Sequence, residues 1–391
     1  MRWVWFVCIV PFVLSASDGF SVDGYVADEY ISYSDSSNEH LISLKLKLAY
    51  KQDDISVVLK PEMFYSTHYN KRRELYLNEA YMLKSFDSFD VALGKSIKYW
   101  GALEGFNITD IFNAKNISLD MFDKDQKLGS YFVSGTYFGD DFSIEIGAKL
   151  YEEKQDYVDE DFAYYLLALA YDKQLQTTKN AYTPSLYLKY SFSTDEMIES
   201  ETSLIFWHGY DNKRDYRVDT ALGYISQYAY QVNKYMLYST ILYGGYVFKF
   251  EGSYSDVLDD SYMSDYTQLA FGVEKEIYTG ESLSMTLYTE YYRYIYQDKS
   301  KMQNVDISEI YNHDIFVATK VSFNDTGSSE VKFGVLYDTK DDESILKLEA
   351  KSRIKDEFVL SAEVLHILDD FSLYPQLGGH TRLKFGVYYY F

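Results

Sequence analysis

The chain has 391 residues, of which 43 are Tyr, 25 are Phe and only 4 are Pro, and its formal charge is −23. So acidic a balance gives no basic surface for DNA or RNA, and a nucleic-acid partner is excluded. One cysteine, Cys8, rules out a disulfide scaffold.

The first element reads as a targeting segment. Arg2 supplies a positive charge, an apolar run extends from Trp3 to Leu14, and Ser15, Ala16 and Ser17 offer small residues for a signal peptidase. The run is shorter than the roughly 20 apolar residues of a membrane-spanning helix, and it contains Pro11. Residues 1–17 are therefore expected to be a cleaved signal peptide that takes Cys8 with it, and residues 18–391 one domain.

From there the chain repeats a pattern of strict alternation broken by polar residues. Ile42, Leu44, Leu46 and Leu48 alternate with Ser43, Lys45 and Lys47; Ile55, Val57 and Leu59 follow. After an interruption, Phe142, Ile144 and Ile146 resume the period, then Leu186 and Leu188, Leu283 to Leu287, Val331 to Tyr337, and Leu346 to Ala350. A period of two puts one apolar face on each strand. Many segments reach the roughly 9–11 residues of a tilted membrane strand, and Tyr clusters at their ends (Tyr243 and Tyr246; Tyr291, Tyr292 and Tyr294; Tyr388 to Tyr390) suit interfacial girdles. The last strand places Leu383, Phe385, Val387, Tyr389 and Phe391 on one face and ends on an aromatic residue. That ending resembles the signal read by the barrel-insertion machinery, an expected partner. The pattern predicts an all-β fold, a transmembrane antiparallel β-barrel of about 18 strands, with 16 as the alternative. Segment boundaries are least distinct between Tyr216 and Ser255.

The interruption lies between Gly94 and Gly129. Its aromatics, Trp100, Phe106, Phe112 and Phe122, need something to pack on, which points to a loop folded into the lumen. Trp100 and Gly101 set a sharp turn. Asn107, Thr109 and Asp110 are expected to bond the inner wall while Phe106 and Phe112 hold the loop in place.

Asn78-Glu79-Ala80-Tyr81, Gly94-Lys95, Trp100-Gly101 and Asn107-Ile108-Thr109-Asp110 resemble a family of porin-like outer-membrane barrels that includes alginate-export-like proteins. Lys95, Ser96 and Ile108 stand where that family carries Arg, Gln and Pro. The resemblance implies a passive or substrate-selective channel and supplies no catalytic mechanism.

With the apolar faces turned to lipid, the opposite faces put Lys45, Lys47, Lys347, Lys351 and Arg353 into the lumen with Glu290 and Glu349. Rings of Lys and Arg favour anions in pores, whereas Lys and Glu on neighbouring strands also neutralise one another. The six histidines are too widely spaced for a local metal pair, so no metal or cofactor is expected. His313-Asp314 is the one candidate for a hydrolytic dyad, read here as a strand entrance. Acidic clusters at 156–161, 256–265 and 338–343 read as solvated loops, with divalent-cation bridging to lipopolysaccharide as their functional alternative. The expected function is a porin for small hydrophilic solutes, anionic ones among them, in contact with outer-membrane lipid and lipopolysaccharide. A substrate-specific uptake barrel for a siderophore or aromatic acid is the alternative; a hydrolase or an adhesin ranks lower. The sequence leaves the oligomeric state open.

Overall fold

The computed structural model describes residues 19–157, 162–163, 170–195, 198–219, 223–258, 260, 262–298, 301, 311–368 and 377–391. The expected signal peptide, 1–17, lies outside the described residues.

Among the described residues twenty-one strands follow in chain order: β1 (Phe20–Tyr33), β2 (Asn38–Gln52), β3 (Ile55–Ser66), β4 (Arg73–Ser85), β5 (Phe89–Ser96), β6 (Ser130–Phe138), β7 (Phe142–Lys149), β8 (Ala170–Thr177), β9 (Ser185–Thr194), β10 (Glu199–Tyr210), β11 (Asp215–Asp219), β12 (Tyr224–Ala229), β13 (Gln231–Tyr243), β14 (Tyr246–Leu258), β15 (Tyr266–Thr279), β16 (Leu283–Tyr296), β17 (Asp314–Phe323), β18 (Glu330–Asp338), β19 (Ser344–Lys355), β20 (Phe358–Ile367) and β21 (Thr381–Tyr390). Eighteen of them form one antiparallel barrel, each pairing with the next in sequence, apart from β8, β11 and β12. Those three make a separate small sheet in the loops, which is why the segment after Tyr216 resists a simple strand count.

The ring closes between the first strand and the last, from Tyr25 opposite Tyr390 to Tyr33 opposite Arg382. Beyond that ladder Gly24 and Phe391 exchange two backbone hydrogen bonds of 3.1 Å each. Closure satisfies every strand edge, which a barrel in hydrocarbon requires.

Alternation along the strands divides the side chains as the sequence implies. Leu204, Phe271, Phe333 and Phe385 are 45, 49, 47 and 54 % exposed on the outer face, whereas Trp207, Glu251, Glu290 and Arg382 are buried inside. A continuous apolar outer wall would be costly in water at about 25 cal/mol per Å² and is the surface a bilayer covers. The expected Tyr girdles need one correction. Tyr243, Tyr246 and Tyr291 do stand outside, but Tyr292 and Tyr294 are buried within, and Tyr388 and Tyr390 lie beside Tyr25, with centroids 5.6 and 5.3 Å from it. A run of consecutive tyrosines cannot all face lipid when the side-chain period is two.

The connections differ by end. The end where β1 begins and β21 finishes has short turns, such as those from β2 to β3 and from β19 to β20; the opposite end carries the long ones. The longest described connection without a break, residues 97–129 between β5 and β6, does not stay at its end.

Candidate functional site: a loop bolted across the lumen

The turn into this loop begins at Gly101, whose φ of +140° disfavours other residues and whose added Cβ would lie 2.7 Å from Glu251 Oε1. Beyond it the chain crosses to the far wall. Glu251 of β14 accepts the backbone N–H groups of Ala102 (2.7 Å), Leu103 (3.1 Å) and Thr109 (3.1 Å), and the Thr109 hydroxyl at 3.1 Å. Glu290 of β16 accepts the N–H groups of Glu104 (2.6 Å) and Gly105 (2.9 Å). The Tyr292 hydroxyl accepts the N–H of Phe106 at 2.9 Å and donates to Glu290. Two buried carboxyl groups thus satisfy loop amides that no ladder reaches.

The tip continues to the closing seam. Arg382 of β21 donates to Asp120 at 2.8 Å and to Glu363 of β20 at 2.6 Å. Arg72 donates to the Leu119 carbonyl at 2.9 Å and pairs with buried Glu39. Burial pushes the Asp120 carboxyl up, but Arg382, Lys384 and Lys347 together outweigh it and hold the group well below the usual carboxylate range. Glu104 shows the same balance, with Lys332 2.5 Å away offsetting burial and leaving the carboxyl below its ordinary value.

At the base, a bulge does the fastening. Lys60 of β3 faces Glu79 but Pro61 faces Leu77, so Asn78 is the extra residue of β4, and both Asn78 and Glu79 turn inward and are buried. Asn78 accepts the Gly129 N–H at 2.8 Å and donates to the Lys127 carbonyl at 3.2 Å. Glu79 accepts the Ser96 hydroxyl at 2.9 Å. Asn113 ties both ends of the loop together, accepting the Lys98 N–H at 2.8 Å and donating to the Leu128 carbonyl at 2.9 Å. Apolar packing completes the hold. Trp100 and Phe112 sit edge-on to each other (5.5 Å) and against Tyr187 and Trp207 of the inner wall, while Phe106 stacks on Tyr311 at 4.4 Å.

Most of the residues singled out from sequence meet here, some in other roles. Thr109 bonds the wall as expected. Asp110 instead pairs with Lys127 inside the loop, and burial pushes its carboxyl up by more than Lys127 lowers it. Asn107 also turns back on the loop, its carbonyl accepting the Asp110 N–H at 3.4 Å. Glu290 is spent on loop amides. Arg353 lies by the turn after β19 and donates to the Asp356 carbonyl, away from the loop. His313 contacts Arg293 on one side, and Asp314 accepts the Asn312 N–H at 2.6 Å, so the two do not form a dyad. The closing-strand residues Phe385 and Val387 stand on the outer face; Tyr389 faces Phe358 (5.1 Å) and Phe391 (6.2 Å).

Sequence reasoning missed Asn78, Glu79, Asn113, Asp120 and Arg382 as loop anchors. Two adjacent polar residues interrupting the alternation of β4 were the available signal.

The loop divides the interior. A cavity of about 550 Å³ lies between it and β17–β21, and one of about 390 Å³ lies against β1–β4. In the larger, Lys115, Lys124, Lys320, Lys332, Lys347, Lys351 and Lys384 face Glu104, Asp123, Asp125, Glu330, Glu349 and Glu363. Most of the wall lysines are paired: Lys347 with Glu349 (2.9 Å) and Glu363 (3.4 Å), Lys351 with Glu330 (2.8 Å), Lys384 with Glu363 (3.5 Å). The smaller contains Lys45, 3.2 Å from Glu62, and the exposed Lys47.

No family model and no curated protein sequence matches the chain. Solved structures do. OccK11 (OpdR) of Pseudomonas aeruginosa aligns over 95 % of this chain and 97 % of its own, with a TM-score of 0.55 at 9 % identity. OpdK of Pseudomonas aeruginosa, solved with vanillate, aligns over 96 % and 98 % with a TM-score of 0.54 at 10 % identity. Wzi of Escherichia coli, described as a carbohydrate-binding β-barrel involved in capsule assembly, aligns over 94 % and 84 % with a TM-score of 0.53 at 10 % identity. At such identities the likeness is one of fold. What they share with this chain is the fold of an outer-membrane β-barrel, here a closed antiparallel ring of 18 strands.

Proposed function

We propose that the protein is a substrate-selective channel of the bacterial outer membrane, passing small hydrophilic solutes by diffusion. The observation that carries the reading is the loop held by Glu251 and Glu290, which replaces an open bore with cavities of about 550 and 390 Å³. Spaces of that size suit one small organic molecule better than bulk flow. On this reading the short-turn end faces the periplasm and the long loops face outside, as in bacterial barrels generally. The residues that carry the likeness to alginate-export-like barrels, Asn78, Glu79 and Trp100, serve to hold this loop, so we extend that likeness to the loop's role and to no particular polymer.

Paired lysines moderate the anion preference expected from sequence. A solute carboxylate entering the larger cavity exchanges with Glu349 or Glu363 for Lys347, so the lumen admits anions without acting as a strong anion filter. A small carboxylated ring, of which the vanillate in the OpdK structure is an example, is compatible in size and charge.

Single-channel recording in planar bilayers tests the proposal. Stepwise conductance that grows when residues 102–126 are replaced by a short Gly-Ser linker supports it. Equal conductance with and without the loop removes the loop from the conduction path. Intact bilayers with released fatty acid or cleaved peptide favour a hydrolase, and cell binding without conductance favours an adhesin.

A further inference from the structure

Above the inward loop, the small sheet of β8, β11 and β12 arises wholly from one arc of the ring, the connections β7–β9 and β10–β13. Its root is fastened by buried charge. Arg214, 0 % exposed, donates to Glu152, which pairs with Lys149 at 2.8 Å, and Asp211 lies 3.4 Å from Lys234. Away from the root the character changes. Arg217 of β11 still pairs with Asp260 of the β14–β15 connection at 2.7 Å, but Tyr216 of β11 packs on Tyr157 (6.2 Å) and, with Ile225 of β12, belongs to an apolar cluster. The cluster crosses the barrel through Phe162 of the β7–β9 connection, whose ring lies 5.5 Å from Tyr33 of β1 and 4.7 Å from Tyr69, and it includes Leu41 and Phe64 of β2 and β3 and Ile345 and Leu365 of β19 and β20. Those strands lie across the ring from the root. Beneath, Gln227 and Gln155 exchange hydrogen bonds of 2.9 and 2.8 Å, and the Ile117 N–H of the inward loop donates to the Asp156 carbonyl at 2.9 Å. Ile345 and Leu365 also form part of the wall of the 550 Å³ cavity, so the apolar seat roofs the space that the proposed solute would occupy.

We infer that the β8–β11–β12 sheet is a gate over the loop end of the barrel, rooted by ion pairs on one arc and seated by apolar contact on the other, and that solutes enter when the seat releases. The inference rests on the channel reading. Non-directional apolar contact re-forms after each opening, while desolvated ion pairs resist separation and keep the root in register. A gate in this position closes the cavity from outside and leaves the turn end free.

The test weakens the seat and leaves the barrel strands alone. Tyr216→Ser combined with Ile225→Ser removes two buried side chains from the small sheet, and heat-modifiable gel migration checks that the barrel still forms. Losing the burial of even one such side chain shifts a two-state equilibrium by about tenfold. Two measurements follow on the full chain. In planar bilayers the open probability of the double variant should rise about tenfold over the parent. In whole cells Lys347→Cys, introduced into both, should react about tenfold faster with a membrane-impermeant maleimide in the seat variant; the chain's single native cysteine is Cys8. Equal labelling rates and equal open probabilities overturn the gate even if both proteins conduct. Faster labelling without conductance in either protein upholds the gate and overturns the channel reading.

Discussion

Glu251 receives both the backbone N–H and the hydroxyl of Thr109, each at 3.1 Å, although the two residues lie 142 positions apart and Thr109 belongs to a loop rooted between β5 and β6. Removing the acceptor leaves buried donors unsatisfied at about 1–3 kcal/mol each. Glu251→Ala should therefore free the first half of the loop without unfolding the ring. The expected result is larger, noisier single-channel conductance at unchanged heat-modifiable migration. Thr109→Val, which removes only the hydroxyl, should do much less. Conductance identical to the parent in Glu251→Ala would mean that the other anchors hold the loop alone.

Charge reversal at Lys347 and Lys351 should move ion preference toward cations. Both line the larger cavity, and each is paired with glutamates that the reversal would leave unopposed. The shift in reversal potential should be larger at low salt, where screening is weaker. Arg353→Glu is the control, because that side chain bonds the turn at Asp356. An equal shift from the control would place the selectivity at the turn end.

The pH response of the loop tip follows from Asp120. Its folded-state pKa is depressed, so its contribution is present above the unfolded value of about 3.9 and is lost only as pH falls through the lower folded value. The tip should stay docked to Arg382 between pH 7 and pH 4, so the change in conductance that Asp120→Asn causes should be the same at both. Asp120→Asn should raise conductance at both. An effect of Asp120→Asn that is present at pH 7 and gone at pH 4 would count against the Asp120–Arg382 anchor.

Deleting Phe391, or replacing it with Ser, should impair assembly. The residue extends the β1–β21 seam through Gly24 and ends the aromatic outer face of the last strand. Accumulation in the periplasm and loss of heat-modifiable migration are expected. Normal outer-membrane yield of both variants would refute the role of the terminus.

The barrel was legible because membrane strands write their two faces into the sequence: Ile42 to Leu48 and Val331 to Tyr337 need no tertiary context to declare which side meets lipid. The inward loop was legible by contrast, as the one aromatic-rich stretch without that period. Its anchors were not. Glu251, Asp120 and Arg382 look like any lumen or loop charge until the ring is closed, since pairing between residues 262 positions apart, as Asp120 and Arg382 are, leaves no local mark. The small sheet was hidden for another reason. β11 and β12 carry strand-like residues but spend them on each other and on β8, so a count of alternating segments cannot tell them from the wall.

The reach of the inward loop imposes an order on construction. The loop precedes its fastenings on β14, β16 and β21 by 142 to 262 residues. Before those strands join, the early part of the ring offers it Arg72, Asn78 and Glu79, with Asn113 tying its two ends. The seam between β1 and β21 then completes the circle and supplies the last bolt, Arg382, in the same event. Sealing the cylinder and furnishing its interior are one step.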